Sequence, residues 1–477
     1  MLFNSAHYLL FLPVVALFYY LIPFRWRWVL LLVASYYFYI SWKPEYIVLI
    51  LVSTLIDYFV GIGLGSTNIE WKRRLLLGTS LFTNLGILFS FKYLGFFLNS
   101  YSMIGGSLPP VTLDYIDTII LPVGISFYTF QTLSYSIDVF RGRKEPEKNL
   151  GIFALYVSFF PQLVAGPIER STHLLPQLHQ NHSLQRDNIV SGLQLILWGM
   201  FKKVVIADRL GEIVNSIYDT PELYSSSALV IATYFFAFQI FCDFSGYSDI
   251  AIGSARLLGF NLMQNFDRPY IARSVSEFWR RWHISLSTWF RDYLYIPLGG
   301  NRVAVSRWYF NIFVVFLISG LWHGASWTFV AWGALHGIYM IVEQMARPWT
   351  DKISNSLDVS KYGIMFELLS KLVTFHLVVF AWIFFRAQSW NDAILIVGKI
   401  FLWQNNLAEV PLEHVLFGVV LIFVLELIQS IQRSLPLSQA LERYPRYARW
   451  SFYYAIIFAT IYLGSFFTDQ DFIYFQF

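Results

Sequence analysis

Long apolar runs alternate with short polar breaks along the chain. A membrane-spanning helix needs about 20 mostly apolar residues. Runs of that kind begin near residues 8, 28, 46, 75, 120, 150, 188, 227, 308, 328, 365, 411 and 451. The pattern predicts an all-α, polytopic integral membrane protein with roughly eleven to thirteen membrane helices, several of them re-entrant. The longest polar stretches, about 168–187, 261–307 and 345–362, read as loops by composition. No tandem repeat or low-complexity tract divides the sequence, so residues 1–477 are expected to form one membrane domain.

One apolar run, from Phe310 to Trp332, contains His323 and Trp322. An ionisable group at membrane depth is costly and normally faces a polar cavity. Two readings of His323 stand side by side: a hydrogen-bonded core histidine, or a functional base. Imidazole titrates near neutrality, which suits proton transfer. His336 lies 13 residues further on. That spacing is not a zinc-ligand pattern, and His336 reads as structural or supporting. No Cys/His cluster or His-Glu-x-x-His motif appears, so no metal or bound cofactor is expected. No phosphate-binding glycine loop appears either, so nucleotide hydrolysis is not implied.

A second polar cluster, Glu277-Phe-Trp-Arg280-Arg281-Trp282-His283-Ile-Ser-Leu-Ser287-Thr-Trp-Phe-Arg291-Asp292-Tyr293, lies upstream. A helix with Ser276 as its N-cap is expected here. Trp279, Trp282, Leu286 and Trp289 would form an aromatic stripe, with Arg280, His283 and Ser287 on an adjoining face. Such a helix either lies at the interface on anionic lipid headgroups or re-enters to line a polar funnel, its basic groups meeting an anionic substrate. In Phe241-Cys-Asp243-Phe-Ser245-Gly-Tyr-Ser-Asp249, polar groups interrupt another apolar span. They read equally as a network packing helices together or as a cavity wall near the histidines. Pro and Gly break hydrophobic segments at 122–131 and 160–170. Broken helices at membrane depth are tolerated where they line protein or water. The chain ends in Phe472-Ile-Tyr474-Phe-Gln-Phe477, apolar where termini are usually polar and frayed. This tail should dock into protein or lipid.

Composition sharpens the membrane reading. The chain is 56% hydrophobic and 13% charged, against about 25% charged in soluble domains. Mean hydropathy is +0.52, and aromatics reach 19%. Cys242 is the sole cysteine, so no intramolecular disulfide forms. The net charge of +4 comes with no basic tail, and no nucleic-acid partner is expected. The N-terminus lacks a basic region and a cleavage site, so its first apolar segment is read as a retained helix. Arg25 and Arg27 separate the first two spans, Lys72 to Arg74 separate the third and fourth, and the loop between holds Lys43 alone. The positive-inside bias therefore predicts both termini to be extracytoplasmic.

Taken together, Pro-Val-Gly-Ile-Ser-Phe-Tyr at 122–128, Phe-Pro-Gln-Leu-Val-Ala-Gly-Pro at 160–167, Asp-Phe-Ser-Gly-Tyr-Ser-Asp at 243–249, the long motif at 277–293 and Leu-Trp-His-Gly-Ala at 321–325 resemble the membrane-bound O-acyltransferase family. The likeness runs over about residues 1–390 and is nearest to the bacterial branch that serves alginate and peptidoglycan O-acetylation. It implies a funnel-shaped helical fold in a bacterial inner membrane. His323 matches the family's catalytic histidine and His283 a second, branch-typical one. It also implies acetyl-CoA as cytoplasmic donor and a separate extracytoplasmic partner of the SGNH-hydrolase type that modifies a polysaccharide. Candidate substrate-contacting residues are Arg280, Arg281, Trp282, Ser287, Arg291, Asp292, Asp243, Ser245 and Trp322. Arg280, Arg281, Lys202 and Lys203 are the candidates for the donor's phosphates. The tail resembles the ending of a small protein that accompanies related D-alanyl exporters, where a tyrosine is thought to carry the acyl group, making residues 472–477 a relay or anchor motif with Tyr474 as carrier. A D-alanyl exporter of the same family and a polysaccharide permease or flippase are the rival readings.

Overall fold

The structure is a computed structural model that describes residues 1–106, 121–163, 166–356, 359–403, 408–432, 435, 437–466 and 472–473. Its helices begin with α1 (Ala6–Leu21), α2 (Phe24–Ile40), α3 (Ile47–Ser66), α4 (Glu70–Leu88) and α5 (Leu94–Met103). Next come α6 (Ile125–Phe140), α7 (Leu150–Ser158), α8 (Ser171–Leu178), α9 (Arg186–Met200), α10 (Asp208–Tyr218) and α11 (Ser226–Leu257). The chain continues with α12 (Val275–Arg281), α13 (Ile284–Phe290), α14 (Val305–His323), α15 (Trp327–Ser356) and α16 (Val359–Arg386). It closes with α17 (Trp390–Leu402), α18 (Leu412–Gln432), α19 (Leu437–Glu442) and α20 (Arg446–Leu463). Among the described residues, β pairing is limited to one bridge, Tyr224 to Ala408. The protein is an all-α, polytopic membrane protein.

Seven helical stretches among the described residues are long and apolar enough to cross a bilayer: Pro44–Ser66, Glu70–Met103, Arg186–Tyr218, Ser226–Leu257, Val305–His323, Gly363–Arg386 and Leu412–Gln432. The roughly eleven to thirteen expected included re-entrant segments, and shorter helices are not among these seven. Helix α7 has nine residues, about 14 Å at 1.5 Å per residue, against a hydrocarbon core of about 30 Å. Helix α1 is apolar but has 16 residues. The run near residue 120 lies partly outside the described residues. All three stretches read as loops carry helix instead, and 168–187 holds α8. Helix α15 extends to Ser356 through Pro348, because Glu343, Gln344, Met345, Ala346 and Arg347 are good helix formers whatever their polarity. The 261–307 stretch holds α12 and α13.

The chain divides into two compact units. The first comprises Met1–Ile196 and Tyr247–Met263. Within it α3, α4 and α6 pack around the fully buried Asp57. Ser80 and Ser136 donate to Asp57 Oδ1, the latter at 2.7 Å, and Asn84 Nδ2 donates to Oδ2 at 2.7 Å. An unmet carboxylate in hydrocarbon would be prohibitive, so these donors tie three helices together. In the same unit Glu169, fully buried, accepts the Met263 N–H at 2.5 Å and meets His173 Nδ1 at 2.6 Å.

The second unit comprises Leu197–Gly246 and Gln264–Phe477. Its densest helix pair is α14 with α15. A Cβ on Gly320 would strike the Phe329 carbonyl, and one on Gly333 the Phe316 carbonyl, so two backbones touch where only glycine fits. Between α9 and α10 the helix widens into a π-helical segment, Phe201–Ala207, all of it buried. Insertions of this kind recur at functional sites.

Candidate active site

The long aromatic-basic motif forms two short helices instead of one. Ser274, not Ser276, caps α12, its hydroxyl accepting the Glu277 N–H at 3.2 Å. Ser276 turns instead to Glu343. The helix stops at Trp282, and His283 takes a left-handed conformation, φ 42° and ψ 55°, before α13 begins. A non-glycine residue held there is strained, a condition that clusters at functional sites. The break removes His283 from the expected Arg280–His283–Ser287 face. Asn265 holds the new start, its carbonyl accepting Ile284 N–H at 2.9 Å and its side-chain oxygen the Ser285 hydroxyl at 2.6 Å. With Trp282 and His283 fully buried, the segment is an internal one and not an amphipathic helix lying on lipid.

His323 is the last residue of α14, where the helix yields to Gly324 in an extended conformation. Its ring, 2% exposed, sits among Trp332 at 4.9 Å, Trp322 at 5.0 Å and Phe385 at 5.5 Å between centroids. His283 lies 6.3 Å away, and its ring stands edge-on to Phe244 at 4.6 Å. Trp382 closes the enclosure, 5.1 Å from Trp282 and 5.8 Å from Trp332. His336 belongs to the supporting layer, since Trp279 Nε1 donates to its Nδ1 at 3.3 Å. The indole N–H groups of Trp282, Trp332 and Trp382 meet no acceptor among the described residues. Buried donors without acceptors are costly, so three such N–H groups favour a molecule that brings an oxygen.

The sequence-predicted residues divide. His323, His283, Trp322 and Trp282 come together in the enclosure. Asp243 lies deep in α11 and pairs with Lys203 at 2.7 Å, while Ser245 accepts from Lys202 Nζ at 2.9 Å. Both lysines are therefore buried polar partners of α11 and not exposed phosphate ligands. Arg281 is held by Glu277 at 2.8 Å and Asp267 at 3.2 Å, and Ser287 Oγ donates to the Trp282 carbonyl at 3.2 Å. Arg291 pairs with Asp292 at 2.8 Å and is 59% exposed, outside the enclosure. Arg280 is exposed. Of the tail, Phe472 and Ile473 are buried, whereas Tyr474 lies outside the described residues.

Trp382, Phe385 and Asp208 were missed by the sequence reading. The first two sit in an apolar run, Ala381-Trp-Ile-Phe-Phe385, that gives no sign of which ring faces a site. Asp208 could have been found from Lys203, five residues earlier, since two opposite charges in an apolar run tend to pair.

Comparison with known proteins gives the family. The model of the membrane-bound O-acyltransferase family matches residues 147–385, which include both histidines. A protein of Pseudomonas putida named probable alginate O-acetylase is 41% identical over 84% of the chain and 80% of its own length. A peptidoglycan O-acetyltransferase of Helicobacter pylori is 36% identical over 83% of the chain and 79% of its own length. A teichoic acid D-alanyltransferase of Bacillus subtilis is more distant, 26% identical over 56% of the chain and 69% of its own length.

Proposed function

The chain belongs to the membrane-bound O-acyltransferase family, and from that premise we propose that it takes acetyl groups from cytoplasmic acetyl-CoA and passes them across a bacterial inner membrane for O-acetylation of an extracytoplasmic polysaccharide. That it is an acyltransferase follows from family membership. The observation that carries the finer reading is the placing of His323 at a helix end, beside His283, within an enclosure that the chain's own C-terminal segment approaches.

In the proposed reaction His323 acts as general base. It takes the proton of an acceptor hydroxyl, whose oxygen attacks the thioester carbonyl of acetyl-CoA. An ester bond forms, the carbon–sulfur bond breaks, and the thiolate leaves with the proton that His323 returns. In this reading the buried indole N–H groups stabilise charge on the carbonyl oxygen. The first acceptor is Tyr474, whose phenol cannot attack until a base takes its proton. A hydroxyl of an SGNH-type partner outside then attacks the phenolic acetyl ester, forming a new ester as the phenolic C–O bond breaks and the tyrosine hydroxyl regains the proton. The greater likeness to O-acetylases than to D-alanyltransferases favours acetyl as the group moved.

The test is Tyr474→Phe, which keeps the ring and deletes the nucleophile. Wild-type protein incubated with labelled acetyl-CoA should gain label on the C-terminal peptide. The variant should insert normally, gain none, and leave the glycan unacetylated. Normal glycan acetylation by the variant would reduce the tail to an anchor.

A further inference from the structure

We propose that the buried cluster Lys203–Asp208–Asp243 is the docking site for the chain's own C-terminal segment, which it recognises by a backbone N–H. The proposal deepens the relay reading above and rests on it for the effect on acetyl transfer; the docking itself rests on geometry. Lys203 Nζ lies 2.7 Å from Asp243 Oδ1 and 2.8 Å from Asp208 Oδ1, and the three side chains are 1%, 5% and 4% exposed. One ammonium thus faces two carboxylates. Asp243 uses its other oxygen, Oδ2, to accept the N–H of Ile473 at 2.8 Å.

Three features make this a built site. Asp243 is fixed from behind, since Lys203 is itself pinned by Asp208. A buried backbone N–H must find an acceptor, and a charged one gives a stronger bond than a carbonyl does. Second, the segment is tethered upstream to the same stretch of chain. The Ser465 N–H donates to the Val204 carbonyl, within the π-helical segment, at 2.9 Å, and Ser465 Oγ donates to Glu212 at 2.9 Å. Arg209 Nε donates to the Leu463 carbonyl at 2.8 Å. Third, one ring, Phe244, lies between the docked residues and His283. Phe472 is fully buried with its ring 5.8 Å from Phe244, and Phe244 is the ring that stands 4.6 Å from His283.

The positions of Lys203 and Asp243 follow from helix packing. Helices α9 and α11 cross so closely that a Cβ on Gly246 would lie 2.8 Å from the Gly199 carbonyl and 3.1 Å from the Lys203 nitrogen. That approach sets the lysine against the carboxylate three residues before Gly246. Asp243 thereby serves as a positioning residue for the tail and not as part of a cavity wall.

Hydrogen exchange of the C-terminal peptide in the full-length protein tests this directly. Ile473→Pro removes the donor N–H at the chain's end and leaves the ion pairs intact, so folding of the rest is not at stake. Asp243→Ala removes the acceptor. Exchange of residues after Gly464 should rise by about tenfold or more in both variants while α14 keeps its protection. Wild-type exchange rates in a folded Ile473→Pro protein would overturn the proposal. Acetyl transfer should fall in parallel. If exchange rises while transfer persists, the docking site stands and the tyrosine relay is what fails.

Discussion

A histidine with a positive φ and another at a helix end meet through aromatic neighbours, and each makes a separate prediction possible. At His283 the left-handed backbone (φ 42°) and the ring have distinct effects. Asparagine tolerates that conformation better than most residues. His283→Asn should therefore keep a near-native melting temperature and still lose most acetyl transfer, whereas His283→Ala should lose both. If the asparagine variant transfers acetyl normally, the ring has no role. His173 offers a pH test away from the spans. Its hydrogen bond to buried Glu169 raises its pKa above the usual value near 6.5, against the opposing effect of partial burial. The folded state thus binds the proton more tightly than the unfolded one. The stabilisation is complete below the unfolded pKa of about 6.5 and fades as pH rises through the higher folded value. His173→Gln should flatten that part of the thermal-stability profile in detergent; an unchanged profile would remove His173 from the account.

Helices and their junctions show what was legible in the sequence and what was not. The run ending at His323 stood out as a titratable ring in an apolar stretch, although a hydrogen-bonded core histidine fits the same pattern. The break at His283 did not. The apolar-aromatic stripe Trp279, Trp282, Leu286 and Trp289 fits one continuous helix, and the contacts at the break come from Asn265, 20 residues before Ser285. Trp382 stayed hidden because periodicity cannot say which apolar residue faces a site. The α14–α15 pair carries the enclosure, and its glycine contact is testable. A methyl group at Gly333 would overlap the Phe316 carbonyl and crowd Gly320 at 3.2 Å, with rigid backbone on the far side. Gly333→Ala should destabilise by about 2 kcal/mol, the usual scale of overpacking, and lower transfer by displacing His323. An unchanged melting temperature would show that the helices can part at no cost.

For the whole molecule, the hydrophobic pattern conveys class and membrane character, while span count depends on where helices stop. Proline and glycine junctions such as Gly124, left-handed at φ 77° before α6, shorten runs that hydropathy alone reads as continuous. The charge pattern that predicts an extracytoplasmic C-terminus also predicts donor entry from the opposite face. The central claim joins these scales: one histidine in a buried aromatic enclosure moves acetyl from acetyl-CoA. The most direct test gives labelled acetyl-CoA to inverted membrane vesicles carrying equal amounts of folded wild-type or His323→Ala protein. Loss of a general base typically slows a reaction by about 10²–10⁴-fold, so the variant should show label transfer near background while the wild type accumulates it. Transfer at the wild-type rate by the His323→Ala protein would contradict the account.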